Sequence, residues 1–133
     1  MKSGLVSLLT GESTISAIVS SRVYIGNAPE KAKFPYIIIT QMAADDFLRL
    51  DGGTGNMRAI DYDIDCKSKT SVETETLANA VRNYLKDYSG AAGSYTIGAV
   101  LLNDETDDIE PAANASDTHT YVTTLDLTIQ YNP

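Results

Sequence analysis

Cysteine and histidine each occur once, and each shortage closes off a class of chemistry. Cys66 has no second cysteine for an internal disulfide, and one histidine beside one cysteine gives no spacing for a structural zinc. His119 has no nearby nucleophile pattern from which a Ser/His/Asp or Cys/His triad would be built, so it reads as a strand-edge residue without a catalytic task. Basic residues are also scarce. Ten Lys and Arg against eighteen Asp and Glu leave a net charge of −8, spread along the chain. That balance opposes adhesion to DNA or to anionic membranes, so neither specific nucleic-acid binding nor membrane association is expected. No apolar run approaches the roughly 20 residues that span a bilayer. The N-terminus also lacks the basic flank, long apolar centre and cleavage site of a signal peptide, which predicts a chain that is cytosolic when made. No cofactor motif is present.

What remains is the composition of an ordinary soluble globule, 43% hydrophobic and 21% charged over 133 residues, enough for one core and one domain over 1–133. Leu5, Leu8 and Leu9, then Ile15, Ile18 and Val19, recur at helical spacing on either side of Gly11. They predict a pair of short N-terminal helices, or one interrupted helix, with Ser13 capping the second piece. Residues 22–25 and 35–42 read as strands, the second opened by Pro35, which suits a first strand position, and carried by the β-branched run Ile37, Ile38, Ile39 and Thr40. Residues 43–56 hold three Asp and three Gly and are expected to form a loop or a long hairpin excursion. Residues 57–66 alternate: Ile60, Tyr62, Ile64 and Cys66 point one way, and Asp61, Asp63 and Asp65 the other. Cys66 is thus expected to be a buried, inert thiol. Thr70 and Glu73 form a capping box that opens an amphipathic helix over about 70–86, striped by Leu77, Val81 and Leu85. A Gly/Ala/Ser loop at 89–94, a strand at 95–102, an acidic stretch at 103–110, a small-residue turn at 111–117 and a final strand at 121–131 complete the reading. The fold class is α+β, with a mainly antiparallel twisted sheet covered on one face by the helix.

The order of these features resembles a known family. A short amphipathic opening, then R-V-Y-x-G-x-A-P at 22–29 and P-Y-I-I-I at 35–39, is similar to the start of the small tail-completion proteins of long-tailed bacteriophages. These are related in role to tail terminators and head-to-tail joining proteins. The Gly-rich loop at 51–55, the alternating strand, the helix and the long last strand continue the match over nearly the whole chain. The resemblance implies a structural virion protein of a tailed phage or prophage, without enzymatic activity, that completes or terminates the tail and helps join it to the head. It further implies a ring of six in the particle and contacts with the tail tube protein or a head-completion protein. The expected location is the virion, at the tail or head-tail junction, after assembly in the host cytoplasm.

Three features compete for chemistry. Asp61, Asp63 and Asp65 put carboxylates on one strand face about 7 Å apart. Such a row invites a hydrolase or divalent-metal reading, yet a solvated sheet face is simpler, because ligands to enclose an ion would have to come from elsewhere. In a ring the same face would line a channel and repel passing DNA. The run D-G-G-T-G-N at 51–56 lacks the Gly-Lys-Ser/Thr ending of a phosphate cradle and reads as a flexible turn. With Asp45 and Asp46, the residues Asp51, Gly52, Gly53 and Gly55 make a candidate interface loop that orders against a neighbouring subunit or tail protein. Most of the eight tyrosines fall on apolar faces, although Tyr24, Tyr36 or Tyr131 would serve as interface anchors. The alternative function is a small acidic metal-dependent hydrolase built on the aspartate row. A third reading is a regulatory binding module that accepts an added strand.

Overall fold

The computed structural model describes residues 1–47, 57–111 and 119–132. Three helices and six strands follow in the order α1 (Lys2–Gly11), α2 (Ser13–Val19), β1 (Val23–Ile25), β2 (Tyr36–Phe47), β3 (Met57–Ser68), α3 (Ser71–Leu85), β4 (Gly90–Ala92), β5 (Tyr95–Glu110) and β6 (Thr120–Asn132). The strands make one curled sheet in the order β1-β2-β3-β6-β5-β4. Every pairing is antiparallel except β1 with β2, which are parallel. The α+β architecture with one helix-covered face is the one the sequence predicts.

Period-two alternation sets the two faces. Ile60, Tyr62, Ile64 and Cys66 of β3 sit beside Leu125, Leu127, Ile129 and Tyr131 of β6 and Ile37 and Ile39 of β2, all buried in a single core cluster. All three helices contribute to that cluster: Leu5, Leu8 and Leu9 from α1, Ile15 and Val19 from α2, and Leu77, Ala78, Val81 and Leu85 from α3. Each large side chain fully enclosed there contributes about 1.5–3 kcal/mol. Phe34–Pro35 is a cis peptide immediately before β2. Arg22 ties the same corner together, its Nε donating to the Pro35 carbonyl at 2.9 Å and its Nη2 to that of Ile18 at 3.3 Å.

Several boundaries differ from the sequence reading, each for a local reason. α2 is capped by Glu12, whose carboxylate accepts from the Thr14 amide at 3.5 Å and the Thr14 hydroxyl at 2.8 Å; Ser13 is already helical. Thr70 does accept from the Glu73 amide at 3.2 Å, but the Glu73 carboxylate receives the Ser68 hydroxyl instead of reaching back to Thr70. The segment at 89–94, read as a loop, contains β4, paired with Tyr95, Thr96 and Ile97. The acidic stretch at 103–110, expected to lie beyond the strand, is its continuation, because past a register shift at Asn103 β6 pairs with it from Asp104 opposite Asp126 down to Glu110 opposite Thr120. Asp45 and Asp46, expected in a loop, lie on β2 opposite Ala59 and Arg58.

Candidate functional site

The uncovered face of the sheet carries the charge. Asp61, Asp63 and Asp65 lie on it as the alternation predicts, but each is half-buried, because β3 is flanked on both sides by β2 and β6. Threonines on β6 satisfy the two outer members. Thr128 Oγ1 donates to Asp61 Oδ1 at 2.5 Å, and Thr124 Oγ1 donates to Asp65 Oδ1 at 2.7 Å. Asp63, between them, stands directly opposite Asp126 on β6, and Asp126 in turn stands opposite Asp104 on β5. Carboxylates therefore run in two directions, along β3 and across three strands, and cross at Asp63. Like charges placed directly opposite each other across strands repel. The Asp63 carboxyl is accordingly held above the usual carboxylate range, first by burial and then by the charges of Asp126, Asp65 and Asp61.

Asp104 and Asp126 were not legible as members of this group. The three-strand row exists only through the register of β6 against both neighbours, and no spacing along the chain encodes it. The lower end of the same face is closed by an ion pair between Lys67 Nζ and Glu110 Oε1 at 2.7 Å.

Among the described residues no group of three or more His, Cys, Asp and Glu is placed to hold a metal ion. Two of the three row members already accept threonine hydroxyls. A groove of about 540 Å³ lies elsewhere, between α3 and the lower half of β5, lined by Thr74, Asn79, Arg82, Glu105, Asp107 and Thr123 among others. Its one cation, Arg82, is held by Glu105 at 2.8 and 3.0 Å and by Asn79 at 2.6 Å. None of Asp61, Asp63 and Asp65 lines it.

The remaining candidates separate. Cys66 is fully buried and burial pushes its thiol pKa up, as an inert core cysteine requires. His119 is exposed just ahead of β6. Tyr131 is buried, its ring edge-on to Tyr95 at 5.4 Å, so it has no face to offer a partner. Tyr24 and Tyr36 remain half-buried at the β1 border, with ring centroids 5.9 Å apart. Asp51, Gly52, Gly53 and Gly55 lie outside the described residues, as does most of the predicted turn at 111–117.

A family model for tail completion protein gp17 matches residues 3–131. The chain belongs to that family. A tail completion protein is a structural component of the phage virion, and the match runs from α1 into β6. The fold is shared by a chain from a structure described as the virion of a native gene transfer agent (GTA) particle. That likeness has a TM-score of 0.72 at 14% identity and covers 100% of this chain and 95% of the other. No curated protein matches the sequence.

Proposed function

We propose that this tail completion protein works as one non-catalytic domain over residues 1–133 that closes the end of the tail as a ring, of six copies by family resemblance, and prepares it for the head. The observation that carries the reading is the family match along nearly the full chain. The uncovered sheet face supports it: a surface of closely spaced carboxylates facing away from all three helices suits the wall of a channel through which DNA slides without sticking. In this arrangement Asp61, Asp63 and Asp65 face the lumen, and the helices face outward. The segment joining β2 to β3, with Asp51, Gly52, Gly53 and Gly55, meets a neighbouring subunit, the tail tube protein or the head-completion protein. Assembly takes place in the host cytoplasm.

The test is genetic and biochemical. A phage that does not make this chain should accumulate filled heads and unjoined tails, and adding the purified protein to that lysate should restore infectious particles. Normal virions in its absence would refute the role.

A further inference from the structure

The sheet ends in two open borders, and they lie at the same height. On one side β1 pairs only with Ile37, Ile38 and Ile39 of β2, so residues 40–47 of β2 have no strand beside them among the described residues. On the other side β4 pairs only with Tyr95, Thr96 and Ile97 of β5, so residues 98–110 have no strand on that side among the described residues. The registers across the sheet align the two gaps. Thr40 is level with Asp63, Asp126 and Asp104, and Ala43 is level with Asp61, Thr128 and Leu101. Large exposed apolar side chains mark both borders at this level: Met42 is 59% exposed on β2, and Leu101 and Leu102 are 50% and 37% exposed on β5.

We infer that the β5 border of one copy adds to the β2 border of the next, so that the ring is held by a sheet continuous between subunits; this rests on the ring proposed above. Three features select this pairing. The direction is right: β2 and β6 run one way and β3 and β5 the other, so β5 of one copy meets β2 of a neighbour antiparallel when the two are related by rotation about a common axis. The chemistry matches, because the uncharged stretch at 40–44 (T-Q-M-A-A) then faces the uncharged stretch at 99–103 (A-V-L-L-N). The charge pattern disfavours two β5 borders paired about residues 106–108, the register that lays the five acids of residues 104–110 against their own copies. In the β5-to-β2 arrangement that acidic arm instead runs toward the connection before β2, where Lys31 and Lys33 are exposed. Because the two borders differ, each contact leaves one of each kind free, and only a closed ring uses them all.

Cysteine cross-linking reads this directly, since the native Cys66 is fully buried and silent. Two full-length forms distinguishable by mass are prepared, one with a single cysteine introduced by Q41C, M42C, A43C or A44C, the other by A99C, L101C or L102C. They are mixed, assembled with tails and oxidised mildly, with ring formation at the tail end followed in parallel by electron microscopy. The expected result is disulfides between the two forms in at least one combination, with dimers of either form alone at least tenfold weaker. A disulfide needs Cα atoms within about 7 Å, so a match also fixes the register. Rings that assemble without any such cross-link, or with dimers of the 99–102 form alone, overturn the inference and leave the ring reading standing. Absence of rings from the unoxidised, folded protein overturns both.

Discussion

At the scale of single residues, one polar atom of the described core has no hydrogen-bond partner among the described residues. Tyr62 is fully enclosed on the helix-covered face of β3, and among the described residues its hydroxyl is the one buried side-chain oxygen or nitrogen without a hydrogen-bond partner. Burial raises the pKa of its phenol, so the group stays protonated and gains nothing from ionisation. An unpaired buried hydroxyl costs folding free energy, whereas the ring without it packs in the same volume. Tyr62→Phe should therefore be neutral or stabilise by about 1 kcal/mol, read from the urea midpoint; a loss of 2 kcal/mol or more, on the order of a broken buried hydrogen bond, would mean that the hydroxyl has a partner. Asp63 carries a cost of the other kind. Its carboxyl is harder to ionise when folded than when unfolded, so the folded chain binds the proton more tightly. Stability contributed here rises as pH falls from neutral through the raised folded pKa, and it levels off below the unfolded value of about 3.9. Asp63→Asn should raise the urea midpoint at pH 7 and reduce the gain seen on acidification to pH 5. Parallel pH profiles for the two proteins would contradict the account.

At the scale of elements, α3 was the most legible and β5 the least, and the difference is physical. α3 announces itself because its information is local: a Thr70 cap, acidic Glu73 in the first turn, and Leu77, Val81 and Leu85 on one stripe. Thr70→Ala should cost about 1 kcal/mol, measured by thermal or urea unfolding, with no change in the folded protein's circular dichroism. The lower half of β5, in contrast, reads D-E-T-D-D-I-E at 104–110, a composition depleted in strand formers. It is extended because β6 pairs with it and because Arg82 on α3 grips Glu105. Both causes are distant in sequence, and no pattern within the segment reveals them. The same holds for the start of the candidate loop, where Asp45 and Asp46 continue β2 because β3 lies opposite. The Asp61, Asp63 and Asp65 row was legible from alternation alone, and its enlargement by Asp126 and Asp104 was not. Close packing between elements is equally hidden. α1 approaches β4 so tightly that a Cβ on Gly4 would stand 2.6 Å from the Ala92 carbonyl oxygen. Backbone cannot yield cheaply there, so Gly4→Ala should destabilise by about 1–3 kcal/mol although alanine is the better helix former. An unfolding midpoint at or above that of the natural protein would show that α1 lifts away freely.

At the scale of the whole molecule, the chain puts its apolar core on one side of the sheet and the Asp61, Asp63 and Asp65 row on the other, and the consequence is a device with direction. Helices close one side, so a ring of copies has one way to put that row inside: by turning the bare face inward. The exposed pairs Lys67 with Glu110 and Arg82 with Glu105 add little, each worth about 0–1 kcal/mol. Repulsion is the more useful quantity. In the proposed ring, phosphates moving along the channel would feel wall carboxylates only within a Debye length, about 8 Å at physiological ionic strength, so the acidic face would act at short range, as a surface that denies DNA a place to bind. Removing charge from that face while keeping its shape should expose the function without harming assembly. The triple variant Asp61→Asn, Asp63→Asn, Asp65→Asn retains side-chain oxygens that accept from Thr124 and Thr128, so the fold and the ring should persist. Particles carrying it should form in normal numbers and eject their DNA more slowly, with a deficit that shrinks as salt is raised toward 0.5 M, where the natural carboxylates are themselves screened. Ejection followed by dye accessibility in single particles measures both the rate and its salt dependence. Equal rates at low salt would remove the aspartate face from the lumen wall and leave it a solvated sheet surface.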